Sequence, residues 1–139
     1  MIQFGEAPTG PVRERIGAYA IVVNEAWRVA IVRIGAGIHL PGGGANPGES
    51  PIEAMHREVA EETGMTVEVV SSLGTARQYV AWQGTMWNKI GHFFVCRPLS
   101  FGVATEPDHT LEWWGGDRAR TGLSHAYYGW AVRRALSSC

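Results

Sequence analysis

Apolar residues fall in short runs between glycine- and proline-containing breaks, a pattern that predicts strands with two helices set among them. Between Arg15 and Val23 the run IGAYAIVV is apolar and rich in β-branched residues, as a buried strand requires. Asn24-Glu25-Ala26 turns the chain, and WRVAIVRI returns from Trp27 to Ile34, so the two runs are expected to pair as a hairpin. Ile34 to Pro41 is a glycine-broken loop with an extended piece at His39-Leu40. Further strands are predicted over Thr66–Leu73, Thr75–Trp82, Trp87–Arg97 and Leu111–Trp114, with Gln83-Gly84 turning the middle pair. Pro98 to Pro107 is a loop whose length suggests a mobile segment on the substrate side. Gly115-Gly116 ends the last strand, and Asp117–Gly122 is a turn or a short helix. Ser124 is the expected N-cap of a final helix, in which Tyr127, Trp130, Ala131, Arg134 and Ala135 recur at helical spacing. Residues 1–14, broken by Gly5, Pro8, Gly10 and Pro11, form a loose lead-in or an edge segment. The result is a mixed sheet between helices, an α/β domain.

The other helix has both ends written into the sequence. Ser50 is a good N-cap, Pro51 at N1 loses no hydrogen bond, and Glu53 completes a capping box. Gly64 is placed to close the helix in the left-handed conformation. At about 100° per residue, Ile52, Met55 and Val59 share one apolar stripe, while Glu58, Glu61 and Glu62 fall in an adjoining arc. Glu62 lies beside the stripe and so cannot be wholly solvated. Carboxylates three and four residues apart repel one another, and Arg57 can offset only part of that charge. A hard divalent cation with oxygen ligands would relieve the rest; an ordinary solvated acidic face is the alternative. Just upstream, Gly42-Gly43-Gly44 leads through Asn46-Pro47-Gly48 into the helix, and glycines let backbone groups approach a metal or phosphate without a Cβ in the way.

Composition narrows the classes. The 139 residues suffice for one domain with a real core, taken as 1–139. Net charge is −1, so no basic field gathers long nucleic acid, which leaves a small nucleotide open as partner. No apolar run reaches the length of a membrane span, and the N-terminus lacks the pattern of a secretory signal. Cys96 and Cys139 are expected to be free thiols in a reducing, cytoplasmic compartment.

From Gly43 to Met65 the order is Gly43, five residues, Glu49, seven residues, Arg57-Glu58, then Val59-Ala60-Glu61-Glu62-Thr63-Gly64-Met65. This fills every fixed position of G-x5-E-x7-R-E-U-x-E-E-x-G-U, with U a bulky aliphatic residue, and resembles the box of the Nudix hydrolase family. Met65 stands where Ile, Leu or Val is usual. The resemblance implies an α/β/α sandwich that hydrolyses a phosphoanhydride in a nucleoside diphosphate linked to another moiety. It implies Mg²⁺ or Mn²⁺ held by Glu58, Glu61 and Glu62, with the carbonyl of Gly42 or Gly43 as a further ligand. One glutamate would also act as general base, the motif position favouring Glu58. Arg57 would orient a glutamate, and Glu49 would brace the loop or bind metal through water. Such ions bridge phosphate oxygens and lower the pKa of bound water, so positioning and electrostatics dominate the chemistry.

Many relatives supply another carboxylate from beyond the box. Glu106, Asp108 and Glu112 are the candidates, and Glu112, beside Trp113-Trp114, occupies a place where the family often has an acid; strand alternation could equally turn it to solvent. His109 either reaches substrate or is structural. Among the 6 tryptophans, Trp82, Trp87 or Trp113 either stacks a base or packs on the sheet. The chain lacks the downstream patterns tied to ADP-ribose, NADH, coenzyme A and diadenosine polyphosphate hydrolysis, Val80-Ala81-Trp82 standing in that stretch. A purine (deoxy)nucleoside triphosphate, oxidised or not, is the first expectation, and a nucleotide sugar or dinucleoside polyphosphate the next. The competing classes are a non-catalytic nucleotide sensor, which typically loses acids that are all present here, and a Trp-rich interaction surface. Homodimers are frequent in the family.

Overall fold

The computed structural model describes residues 1–137; Cys139 lies outside them. In chain order come β1 (Ile2–Phe4), β2 (Arg13–Val22), β3 (Arg28–Ile34), β4 (Gly37–His39), β5 (Gly42–Gly44), α1 (Pro51–Thr63), β6 (Met65–Trp82), β7 (Thr85–Phe101), β8 (His109–Gly115), α2 (Gly116–Thr121) and α3 (Ala126–Ser137). The strands form a five-stranded sheet, β1-β6-β7-β2-β5, and a three-stranded one, β4-β3-β8. The larger sheet is mixed, since β2 runs parallel to β7 and antiparallel to β5.

Alternation along β2 explains why helices cover both faces. Ala18, Ala20 and Val22 pack with Ala54, Met55 and Val59 of α1 in one core. Tyr19 and Ile21 point the other way, into a second core with Phe93 and the α3 residues Tyr127, Tyr128, Ala131 and Val132. Successive side chains of a strand face opposite sides, so one apolar run feeds two cores. The helix-covered mixed sheet agrees with the expected α/β architecture.

Several local expectations are corrected. The runs after Arg15 and Trp27 make no hairpin: β2 and β3 belong to different sheets and meet only at the bridge Val23–Val29. β2 instead takes β7 as neighbour, with Tyr19 opposite Phe93. Thr66–Leu73 and Thr75–Trp82 are one strand, β6, whose register against β7 shifts at three irregularities that skip Leu99 on β7 and Val70 and Leu73 on β6. Ile52 is 40% exposed, and Ala54 replaces it in the buried stripe of α1. Ser124 does not cap α3. Its Oγ accepts from the Ile38 amide, and the Tyr127 amide at the start of α3 donates instead to Oε1 of Gln78 in β6.

The expected mobile loop from Pro98 is also corrected. β7 continues to Phe101, and the segment beyond it is tied to the end of α1. Thr105 and Glu106 amides donate to the Glu61 carbonyl, and the Gly102 amide donates to that of Gly64. These bonds occupy carbonyls that a helix C-terminus otherwise leaves without partners. Residues 1–14 include an edge strand, β1, paired parallel with β6.

Candidate active site

β5 is the floor of the site. Gly42, Gly43 and Gly44 lie opposite Tyr19, Ala18 and Gly17 of β2. Gly42 has φ +142°, and a Cβ there would run into the Ala18 carbonyl oxygen and the Tyr19 backbone. Only glycine fits. A Cβ on Gly43 would lie 2.8 Å from the Glu58 carboxyl carbon, so its absence is what brings the strand backbone against that carboxylate.

α1 begins and ends as its sequence specifies. The Ser50 and Glu53 side chains cap each other's backbone reciprocally, and Gly64 closes the helix with φ 77°. Fixed at both ends, it holds its acidic arc against β5. Arg57 organises that arc with every N–H it has. Nε and Nη2 grip Glu49 in a fork at 2.7 and 2.9 Å, and Nη2 also donates to the Gly44 carbonyl at 3.0 Å. Nη1 donates to Glu58 at 2.9 Å and to Glu61 at 3.3 Å. The bidentate arginine holds Glu49 at a pKa of about 2, and the Asn46 amide helps. The reciprocal field of Glu49 and Glu58 raises the guanidinium further. Helix and loop are thereby locked through one side chain.

Glu62 is the buried member, 6% exposed. Oε1 accepts from the Gly42 amide at 2.8 Å. Burial, opposed by that bond but reinforced by Glu58, Glu106 and Glu61, pushes its pKa up to about 8. Burial also raises Glu58, against the pull of Arg57. His109 places Nε2 3.4 Å from Oε2 of Glu62, while its Nδ1 faces the Pro107 carbonyl at 2.9 Å. A carbonyl can only accept, so Nδ1 is the donor of that pair. The acids also sit at the C-terminal half of α1, whose last turn has no basic residue. The helix dipole adds to the negative potential there.

Comparison with known proteins decides the family. The NUDIX domain family model matches residues 13–116, about three quarters of the chain. The chain belongs to the NUDIX family. A mouse NUDIX relative, 8-oxo-dGDP phosphatase NUDT18, is 36% identical over 74 residues, 53% of this chain and 21% of that protein. The RNA pyrophosphohydrolase of Proteus mirabilis is 44% identical over 43 residues, 31% of this chain and 24% of that one. These matches thus span about a quarter or less of the curated relatives' length. A MutT NUDIX hydrolase structure from Burkholderia pseudomallei superposes with TM-score 0.72 at 24% identity, covering 88% of this chain and 98% of that one. That likeness shows the shared NUDIX fold.

Beyond the NUDIX box, the candidate carboxylates separate. Glu106, on the segment tied to α1, exerts its charge on both Glu58 and Glu62. Glu112 does not join them. It pairs with Arg33 at 2.6 Å and accepts from Trp114 Nε1 at 3.0 Å, and these partners hold its pKa at about 2. Its neighbours on β8, Leu111 and Trp113, pack on the α1 side, so alternation turns Glu112 the other way. No signal within the sequence separates Glu106 from Glu112, because the difference is set by strand phase and by two amides that find α1. Trp113 packs edge-on against Phe101, whereas Trp82 and Trp87 line an open hollow with Arg15, His39, Val80, Lys89 and His125.

Members of the family generally use divalent metal ions. The donor set here fits one: carboxylate oxygens of Glu58, Glu61 and Glu62, with the Gly43 backbone brought close by its missing Cβ. Among the described residues no three acids, histidines or cysteines converge as ready ligands. The reason is visible, since Arg57 holds oxygens of Glu58 and Glu61 and the Gly42 amide holds one of Glu62. A dication would compete for these oxygens in a site whose negative charge Arg57 offsets only in part.

Proposed function

We propose that this protein hydrolyses a phosphoanhydride bond in a nucleoside diphosphate linked to another moiety, in the first place a (deoxy)nucleoside triphosphate, releasing a nucleoside monophosphate. The observation that carries this reading is the acidic arc of α1, packed against a glycine strand with one arginine bonded among its carboxylates. Mg²⁺ or Mn²⁺, held by Glu58, Glu61 and Glu62 with the Gly42 or Gly43 carbonyl, would supply charge relief on the phosphate oxygens and an acidified water. The protein's own part is positional. Arg57 and Glu49 fix the loop, the Gly42 amide orients Glu62, and Glu58, beside Gly43, would take a proton from the attacking water. Glu106 adds to the same field from the loop.

Relatives named for 8-oxo-dGDP and RNA support nucleotide chemistry without selecting a substrate. Nucleotide sugars and dinucleoside polyphosphates remain the alternatives, and a net charge of −1 speaks against long RNA. A free, buried thiol at Cys96 agrees with a reducing, cytoplasmic compartment, which belongs to the same proposal. The test is a panel of nucleoside triphosphates, dinucleoside polyphosphates and nucleotide sugars with Mg²⁺ or Mn²⁺, following release of the monophosphate. Glu61→Gln and Glu62→Gln should each lower turnover on the order of 100-fold or more with the thermal midpoint kept. Unchanged turnover in both variants would exclude the site.

A further inference from the structure

Two hollows meet at the site. The carboxylate cleft, about 280 Å³, is lined by β5, Glu58 and Glu62 together with Arg15, His39 and Lys89. Those last three also line the second hollow, about 440 Å³, whose far walls are Val80, Trp82, Trp87 and His125. The volume is within the range of small-molecule sites, and the shared residues make the two hollows continuous.

Lys89 is the anomaly at the junction. It is half-buried on β7 and lies directly opposite Arg15 in the parallel β2–β7 register. Like charges opposite each other on a sheet repel, and among the described residues no carboxylate forms an ion pair with either. Burial and the Arg15 charge both push the Lys89 ammonium below its usual range. Glu58 and Glu62 line the same cleft, yet among the described residues no ion pair joins them to Arg15 or Lys89. Cations and acids that line one cleft without pairing are the arrangement a phosphate chain with its counter-cation would fill.

The far hollow has a different chemistry. Burial keeps His39 below the ordinary imidazole range, and burial with Lys89 nearby holds His125 at about 4, so both are neutral at pH 7. No acid lines it, and two indoles do. It offers stacking faces for a flat ring and no carboxylate to read the ring's donor groups.

Resting on the hydrolase reading above, we propose that Lys89, with Arg15, is the residue pair that seats the phosphate of a nucleotide whose base stacks in the Trp82–Trp87 hollow. Selectivity then rests on the phosphate more than on the identity of the base.

Tryptophan fluorescence supplies the readout, through its quenching by guanosine monophosphate, adenosine monophosphate and unphosphorylated guanosine, in EDTA. The monophosphates should bind wild type with Kd values within about 5-fold of each other and at least ~10-fold tighter than guanosine. Lys89→Met should weaken monophosphate binding about 10-fold or more, leave guanosine unchanged, and be largely rescued by Lys89→Arg. Arg15→Met, at an exposed position, should cost about 3-fold and decides the matter independently if Lys89→Met does not fold. Equal binding of monophosphate and guanosine by wild type, equal loss of both in Lys89→Met, or no loss in Arg15→Met and Lys89→Met would overturn the pair's role. Strong discrimination between the two bases would overturn the stacking mode. A protein that binds monophosphates through Lys89 but hydrolyses no member of the panel upholds this pair and removes the hydrolase reading. A hydrolase whose KM is unmoved by Lys89→Met does the reverse.

Discussion

At the residue scale, the site depends on atoms that are absent as much as on those present. Gly42 combines a positive φ with backbone contact to Ala18 and Tyr19, and its amide holds Glu62. Gly42→Ala should therefore lose stability by about 2 kcal/mol or more, read from urea midpoints, and lower turnover as Glu62 is released. A variant as stable as wild type would mean that β5 can move away from β2 at no cost. Arg57, Glu49 and the three glutamates of the arc were all legible in the sequence, because their spacing on one helix and one loop is a local property. Lys89 and Arg15 were not. They are 74 residues apart in register partners of a parallel pair, and nothing in either local stretch reports the other. Glu106 and Glu112 likewise look equivalent until strand phase sends one to α1 and the other to Arg33.

At the element scale, caps are read well and partners poorly. Ser50, Pro51, Glu53 and Gly64 settle the limits of α1 by contacts within a few residues. The pairing of β2 depends on which strand can cover it on either side, and β7 outcompetes the nearer β3 because it offers a full-length parallel register from Arg13–Trp87 to Val22–Cys96. The start of α3 was misread for the same reason, since its amide is satisfied by Gln78 from another element. Helical periodicity placed Ile52, Met55 and Val59 on one face, but Ile52 sits in the first turn and is exposed. Met55→Ala should cost 2–5 kcal/mol, as expected for a fully buried side chain, whereas Ile52→Ala should cost about 0.5 kcal/mol or less. Chemical denaturation of the two variants separates these outcomes, and equal losses would restore the wheel-derived stripe.

At the scale of the whole molecule, stability and site share titrating groups. His125 stands at the entrance to α3 with its pKa held at about 4 by burial and by the charge of Lys89. In the unfolded chain it titrates near 6.5. The unfolded state therefore binds the extra proton between these values, and stability is full above pH 6.5 and falls as pH drops toward 4. The loss attributable to this group is about 3 kcal/mol at most. His125→Gln should flatten that part of the stability profile, measured as urea midpoint against pH, while the profile above pH 7 stays as in wild type. A profile equally steep in both proteins would assign the acid limb to other groups.

The parallel pairing of β2 with β7 carries a consequence for synthesis and folding. β5 hangs on β2, and the other neighbour of β2 in its sheet is β7, so the glycine floor and its acids gain a lasting frame only once residues 87–96 have arrived. Contacts of such sequence separation slow the search for the native state. The motif most visible in the sequence is thus among the last parts of the chain to be secured as it leaves the ribosome.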